Sequence, residues 1–406
     1  MKITKLKNRF PLNKFPLRVA RDMLAGALFT LFATGPTMAA DDPIKVGVLL
    51  PFVGTYAHIG NGIERGLRLA IEEQGGGKLG GRDVEYVTVD SEMNPGRSVT
   101  NAQKLISGEQ VDVVVGPVHS GVAMGLLKVA RRDGTPVILP NAALNAATRE
   151  LCAPHIFRTS FSMWQNGYST GQSAWDEGHK KVITLTWDYS AGKELMDAFG
   201  EAYTKAGGEV VGDLWVPFPN VEFQHHIAEI ARVKPDAVYV YFAGGAATKF
   251  IKEYHASGLD DTIPLMGPGF LTDSLEGIEE AAEGIKTTLF YTDTLANPYN
   301  KAFREAYKAR FNEEADIYAV QGYDSGTLLV RSVEAVNGKV EDRKSWIEAM
   351  ENVTFESSPR GPWSFSEAHN PVQDYYLLEV RNGKNEVLGL AVPSLADPAT
   401  GCSMVN

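Results

Sequence analysis

The apolar positions of residues 44–140 change period again and again. "IKVGVLLP" (Ile44–Pro51) is a continuous β-rich run. After the Gly-containing loop "FVGTYAHIGNG", the segment "IERGLRLAIEEQ" sets Ile63, Leu67, Ala70 and Ile71 on one helical face. "GGGKLGGRD" breaks the pattern, and "VEYVTVD" (Val84–Asp90) then alternates like a strand. "NPGRSVTNAQKLIS" brings Val99, Ala102, Leu105 and Ile106 to helical spacing. "VDVVVG" predicts the next strand, "GVAMGLLKVARRDG" a helix, and "PVILP" (Pro136–Pro140) a further short strand. Unbroken apolar strands alternating with helices imply a parallel sheet covered on both faces.

The alternation starts afresh at "KKVITLTWD" and runs through "AGKELMDAFGEAYTKAGG", "EVVGDLWVPF", "EFQHHIAEIARVK", "PDAVYVYFAG", "GAATKFIKEYHASG" and "IPLMGPG". The architecture repeats without a repeat of sequence. Beyond it lie "GIKTTLFYTD", the helical segments "PYNKAFREAYKARFN" and "AVQGYDSGTLLVRSVEAV", and a hairpin in "QDYYLLEVRNGKNEVLGL" turning at "RNGKN". The fold class is therefore α/β, as two doubly wound parallel-sheet units. Open α/β sheets bind ligands beyond the carboxyl ends of their strands, so two facing units predict a cleft between them.

The first 40 residues depart from this picture. Lys2, Lys5, Lys7, Arg9, Lys14, Arg18 and Arg21 form a basic lead, the apolar stretch Met23–Ala33 follows, and the segment ends in small residues. That is the layout of a secretory signal peptide over residues 1–40, with cleavage near Ala39 or Ala40. The apolar stretch is too short to span a bilayer. Removing this segment takes away a net charge of +6 and leaves −17 from a whole-chain value of −11. So acidic a chain is unsuited to nucleic acid, whose phosphates require a basic face. Export also bears on Cys152 and Cys402, the two cysteines of the chain. In an oxidising compartment they are expected to pair as a disulfide, two free thiols being the alternative.

Local motifs for chemistry are missing. Ser120 in "GPVHSGVAMG" lacks the G-x-S-x-G frame because residue 118 is Val. No G-x-x-x-x-G-K-[ST] loop occurs, and "GTYAHIGNG" has the wrong spacing for a dinucleotide loop. His225 and His226 fit a solvated helix face, with side chains that diverge, and there is neither H-E-x-x-H nor a cysteine cluster for a metal. No enzyme, no metal and no cofactor is predicted. What remains is a ledge. Ser120 offers a hydroxyl and the following helix start offers amides, which favour an anion. After the strand Pro136–Pro140, Asn141, Ala142 and Ala143 offer backbone groups behind small side chains. Together these two strand ends suit a carboxylate without any Arg; separately each reads as an ordinary helix cap.

The order and spacing of "IKVGVLLPFVGTYAHIGNGIERGLRLAIEE", "GGRDVEYVTVDSEMNPGRSVTNAQKLI", "VDVVVGPVHSG", "VILPNAALN", "WDYSAGKE" and "MGPGF" resemble the periplasmic solute-binding proteins of the Leu/Ile/Val-binding type, which serve ABC importers. The resemblance implies a periplasmic binding protein type I fold with two lobes joined by a three-strand hinge. Residues 43–158 plus 293–366 would form lobe one, and 159–292 plus 367–406 lobe two. It further implies that the position of His119 and Ser120, with Ala142 and Leu144, grips a ligand carboxylate. Leu144 departs from the family's usual Thr. Tyr189 corresponds to a cleft tyrosine and Tyr56 to a first-loop aromatic, and closure is expected to bring Gly244 and Phe270 over the ligand.

The departure that bears most on the ligand lies at "MGPGF". The amino-acid binders of the family carry a Glu after "GP", which pairs with the ligand ammonium; here that residue is Gly269, followed by Phe270. Tyr56, His58, His119, Trp164, Tyr189 and Phe270 would make a π-rich pocket suited to a flat ring. "AWDEGHKKV" and "SPRGPWSFSEAHNPVQDYYLLEV" are similar to a subgroup that takes up benzoate or cinnamate derivatives. The chain is thus expected to be a periplasmic, monomeric receptor that delivers an aromatic carboxylate to an inner-membrane ABC permease. Two alternatives stay open: a branched-chain or other amino acid, with Asp188 or another acid supplying the charge, and a ligand-sensing receptor domain.

Overall fold

The computed structural model describes residues 42–54 and 56–405, so the expected leader lies outside the described residues. Strands β1 (Ile44–Leu50), β2 (Lys78–Leu79), β3 (Arg82–Asp90), β4 (Val113–Val115), β5 (Val137–Leu139) and β6 (Ile156–Arg158) build one sheet in the order β2-β3-β1-β4-β5-β6. All its pairings are parallel except the short β2–β3 contact. Helices α1 (Ala57–Gly75), α2 (Ser98–Gln103) and α3 (Ser120–Asp133) connect these strands. Ile44, Val46, Val48, Leu49 and Leu50 are all fully buried, as a central parallel strand covered on both faces requires.

After α4 (Met163–Asp176) a second sheet begins. Its parallel strands β7 (Lys181–Asp188), β8 (Glu209–Pro217), β9 (Ala237–Tyr241), β10 (Leu265–Pro268) and β11 (Lys286–Leu289) alternate with α5 (Ser190–Ala206), α6 (Gln224–Val233), α7 (Gly245–Ala256) and α8 (Glu279–Ala282). The chain then returns to the first lobe through α9 (Pro298–Phe311), α10 (Ile317–Ala335) and α11 (Arg343–Glu351). It finishes on the second sheet with β12 (Ser364–Phe365), β13 (Pro371–Arg381) and β14 (Lys384–Leu395). The order there is β12-β13-β11-β10-β9-β7-β8, with β14 also paired to β13. This sheet is mixed, because β13 runs antiparallel to β11 and to β14.

Helix α10 is fixed to α1 by close backbone approach. A Cβ on Gly322 would lie 2.0 Å from the Ile63 carbonyl oxygen, and one on Gly66 1.9 Å from that of Ala319. Only glycine permits contact at this range.

Two features depart from the sequence pattern. Strand β6 and helix α4 are not among the elements expected from sequence, and Gln165, Asn166, Ser169 and Thr170 of α4 are completely buried. Three of them are answered by distant parts of the chain: Ser169 and Thr170 hydroxyls meet Thr288 Oγ1 at 2.9 and 2.7 Å, and Gln165 Nε2 donates to the Pro371 and Leu395 carbonyls at 2.8 Å, while the Asn166 side-chain amide has no hydrogen-bond partner among the described residues. The histidine pair also differs. His226 is buried against the Trp215 carbonyl at 3.1 Å and its ring stacks on His225, with centroids 4.1 Å apart, so the two side chains converge instead of diverging into solvent.

Between the sheets the chain crosses three times, near residues 159–162, 290–297 and 358–370. Arg360 binds two of these passages together. Its guanidinium donates to the carbonyls of Ser160 (3.1 Å) and Thr159 (2.7 Å) and to Gln373 Oε1 (2.7 Å), and it pairs with Asp324 of α10 at 2.9 Å. Both members of the pair are about 1% exposed. The tail beyond Leu395 leaves the second sheet. Cys402 is bonded to Cys152, just before β6, and Asp397 accepts from Arg149 (3.0 and 3.2 Å) and from Ser162 Oγ (2.6 Å). Residues 396–405 thus strap the second lobe's final strand to the first lobe.

Removing one partner of a buried ion pair leaves an uncompensated charge, at a cost of about 3–5 kcal/mol. Arg360→Met is expected to lower the unfolding free energy by about that amount, read as a drop in urea midpoint. A loss under about 1 kcal/mol would mean that the guanidinium is dispensable to the crossovers.

Candidate functional site

A cavity lies where the carboxyl ends of the two sheets meet. The first lobe contributes Tyr56, Ile59, Val118, His119, Ser120 and Asn141 around the ends of β1, β4 and β5, together with Tyr318 from α10. The second contributes Tyr189, Tyr241, Ala243 and Phe270 beyond β7, β9 and β10, and the first crossover adds Phe161 and Met163. No Asp, Glu, Lys or Arg lines it. Its volume is about 40 Å³. An engineered cavity of about 150 Å³ is needed to hold benzene, so admitting a ring requires this space to widen. A roomier cleft of about 390 Å³ lies nearby, lined by Asp273, Glu276, Asp293 and Asp316 among others. That acidic lining would repel a carboxylate.

His119 has two tasks. As the N-cap of α3 its Nδ1 accepts the Gly121 N–H at 3.0 Å. Burial lowers its pKa from the usual 6.5, so the ring is neutral above that value. A neutral imidazole with Nδ1 as acceptor carries its proton on Nε2, which is therefore the donor left for the cavity. The ring lies 6.1 Å from Tyr189 and 6.0 Å from Phe218, both of the second lobe. Ser120, 4% exposed, adds a hydroxyl, and Asn141 is held by Gln321 through an Nδ2–Oε1 bond of 2.8 Å.

The remaining walls are aromatic. Tyr189 stacks on Phe218 at 4.9 Å and shares a 3.0 Å hydroxyl–hydroxyl bond with Tyr241. Phe161 lies 5.1 Å from Phe270 and 5.6 Å from Phe290. Tyr318 donates its hydroxyl to Asp273 at 2.6 Å, across the lobe boundary. Burial pushes the phenols up, Tyr241 to about 12, so they are neutral hydroxyls.

Of the residues singled out from sequence, Tyr56, His119, Ser120, Asn141, Tyr189 and Phe270 line this cavity. The others lie elsewhere. His58 stands edge-on to Tyr318, 5.7 Å between centroids, close to where a side chain at Gly244 would begin. Ala142 donates its N–H to the Pro117 carbonyl at 3.0 Å and is not free to bind an anion. Leu144 is buried in the first lobe's core, and its carbonyl accepts from Arg158 at 2.6 Å. Trp164 stacks on Tyr168 at 4.5 Å and donates from Nε1 to Glu201 at 2.8 Å. At Gly269 a Cβ would sit 2.6 Å from Leu289 Cδ2, so this position faces Leu289 and the acidic cleft, away from the aromatic cavity. Sequence reasoning passed over Tyr241 and Ala243, although the strand-end rule applied to "AVYVYFAG" points to them. Phe161, Met163 and Tyr318 enter from a crossover and a returning helix, which no local pattern marks.

The family model "Periplasmic binding protein" matches residues 43–385. The Leu/Ile/Val-binding protein homolog 6 of Brucella abortus is 32% identical over 365 residues, covering 88% of this chain and 92% of that protein. Among solved structures, the chain is similar to an ABC transporter solute-binding protein of R. palustris in complex with benzoate, at 50% identity and TM-score 0.84, covering 89% of this chain and 99% of that one. A second R. palustris solute-binding protein, in complex with 4-hydroxybenzoate, is 30% identical with TM-score 0.82, covering 87% and 98%.

Capping and ligand contact at His119 are separable. Asn is a strong N-cap whose Oδ1 accepts the same amide, whereas Ala is not, at a cost of about 1 kcal/mol. In ligand-free protein His119→Asn is expected to melt within a degree or two of wild type, and His119→Ala clearly lower. Equal losses would mean that the cap is not what stabilises this turn.

Proposed function

The chain belongs to the periplasmic binding protein family and is an extracytoplasmic solute-binding protein of an ABC transporter, and we propose that its solute is an aromatic acid bound as the carboxylate between the lobes. The observation that carries this reading is the lining: six aromatic rings and one neutral imidazole with no charged side chain. An anion's carboxylate would be held by His119 Nε2–H and the Ser120 hydroxyl beside Asn141. The ring would lie among Tyr56, Phe161, Tyr189 and Phe270. Solved relatives whose complexes contain benzoate and 4-hydroxybenzoate support the same class.

An α-ammonium would find no counter-charge in this lining, and an unpaired buried cation costs several kcal/mol. Asp188 does not supply one, since it lies half exposed and pairs with Lys193 at 3.1 Å. Amino acids are the second reading, favoured by the Leu/Ile/Val-binding names of the curated relatives and by Asp273, which stands directly behind Tyr318. On either reading the receptor releases its cargo to a membrane permease. We take it to act as a monomer, with its leader cleaved near Ala39 or Ala40.

A ligand-stripped, refolded preparation should gain about 2.7 kcal/mol from a ligand at about 100 times its dissociation constant. Thermal shifts are expected with benzoate or 4-hydroxybenzoate and absent with leucine, isoleucine or valine. A shift with leucine alone would replace the aromatic-acid reading by the amino-acid one.

A further inference from the structure

We propose that closure of the two lobes is coupled to proton uptake, through two carboxyl groups of the second lobe, Asp273 and Glu194, that each take a hydrogen-bond donor from the first. Asp273 follows β10, and its Oδ2 accepts the hydroxyl of Tyr318, in the first turn of α10, at 2.6 Å. Glu194 lies in α5, and its Oε2 accepts the backbone N–H of Asn145, from the loop after β5, at 3.1 Å. These are separate points of the interface, and both carboxyls are partly buried there.

The donors present, the Asn145 amide at Glu194 and the Tyr318 hydroxyl with the Asp273 and Ser274 amides at Asp273, do not replace the hydration of a full charge. Burial accordingly raises Asp273 to about 7; the Tyr318 hydroxyl opposes the rise and the Asp316 charge adds to it. Tyr56 and Tyr241 face the same carboxyl as neutral phenols. Glu276, Asp293 and Lys384 line the adjoining cleft. Asp316, N-cap of α10, is itself raised to about 6 by burial. Glu194 is raised to about 7 by burial, against the Asn145 amide and the charges of Arg158 and Arg149, and with Glu150 on the raising side. Tyr189 is its phenolic neighbour.

The sign follows from the direction of these shifts. A solvated carboxyl titrates near 4. Protons therefore favour the closed form, fully below about pH 4 and progressively less as pH rises through about 7. His119 runs the opposite way: burial lowers its pKa, so closure expels a proton from it below its ordinary value of 6.5. This trims the effect at the acid end without reversing it, because Asp273 and Glu194 pull together in the other direction.

Small-angle scattering of the full mature chain, stripped of ligand by refolding, tests the coupling without a ligand. Wild type is expected to become more compact between about pH 8 and about pH 6. The double variant Asp273→Asn/Glu194→Gln, whose amides mimic the protonated acids, should be compact at both. No compaction in wild type, or the same pH dependence in the double variant, overturns the proposal. If the double variant does not fold, Tyr318→Phe serves, since losing that donor should move the midpoint to higher pH; an unmoved midpoint overturns it. Benzoate then supplies a second readout, this one resting on the aromatic-acid reading. Titration calorimetry in two buffers of different ionisation heat should show uptake of about one proton near pH 7 and, over the two carboxyls together, up to about a hundredfold tighter binding at pH 6 than at pH 8. Binding without proton uptake overturns the coupling. No heat with benzoate at any pH defeats the aromatic-acid reading instead, and the scattering comparison still decides the coupling.

Discussion

Arg360 is the constraint on which the rest of the molecule depends. A guanidinium that is 1% exposed must spend its donors within the protein, and here it spends them on the first crossover, on β13 and on Asp324 of α10. These three partners come from different parts of the chain, so the passages between the lobes are spaced by one rigid fork. Asp324 carries the same logic onward by accepting from Ser358 and Trp363 at 3.0 and 3.2 Å. Arg158 repeats the device one turn of chain away, through Asn370 at 3.0 Å and the Leu144 carbonyl at 2.6 Å. Buried charge is poor at raising net stability and good at excluding wrong arrangements. At a hinge the second property matters more, because two lobes that move must still return to one register.

The cavity uses the opposite chemistry. Residues 41–406 carry a net charge of −17, so an anion is not drawn in by the overall field. Binding must come from short-range donors in a water-poor site, where neutral hydrogen bonds to a charged group are worth more than in solvent. His119 illustrates the arrangement. Its Nδ1 is spent on capping α3, which fixes both the ring and its tautomer and leaves Nε2–H as an oriented donor. A cation in its place would bind anions with less discrimination. The neutral set rewards a carboxylate only when the rest of the solute fills the aromatic walls.

Most strands buried on both faces were legible in sequence, the three-residue β6 being an exception. Ile44–Leu50, Val113–Val115 and Ala237–Tyr241 are unbroken apolar runs and formed where expected. Helix α4 was not, because its buried face is polar and is satisfied by Thr288, Pro371 and Leu395, all more than a hundred residues away. The antiparallel finish of the second sheet was visible as a hairpin, but its place beside β11 depends on the crossovers. The site divides along the same line. His119, Ser120, Asn141, Tyr189 and Phe270 follow strand ends; the strand-end argument pointed to Ser120 and Asn141, and the family resemblance to His119, Tyr189 and Phe270. Ala142 and Leu144 lie in the loop after β5 and Trp164 at the start of α4, and each turns its amide or side chain back into the fold. Tyr318 reaches the cavity only because Gly66 and Gly322 let α10 lie against α1, a fact of packing with no local signature.

The contacts across the boundary bear on what a ligand has to do. Tyr318 with Asp273, Asn145 with Glu194, and His119 against Tyr189 and Phe218 already satisfy one another. Closure is thus not held off by unpaired groups waiting for a solute. A ligand shifts an equilibrium only by its differential affinity for the two states. Every contact that the empty protein makes for itself reduces the part of closure that the ligand must drive, and with it the contrast between loaded and empty receptor. On the proton-coupling proposal the two partly buried carboxyls, Asp273 and Glu194, counteract this, because their reduced hydration raises the cost of the self-closed form near neutral pH. An interface that is geometrically complete but electrostatically penalised leaves the decision to the few groups that only a solute can satisfy.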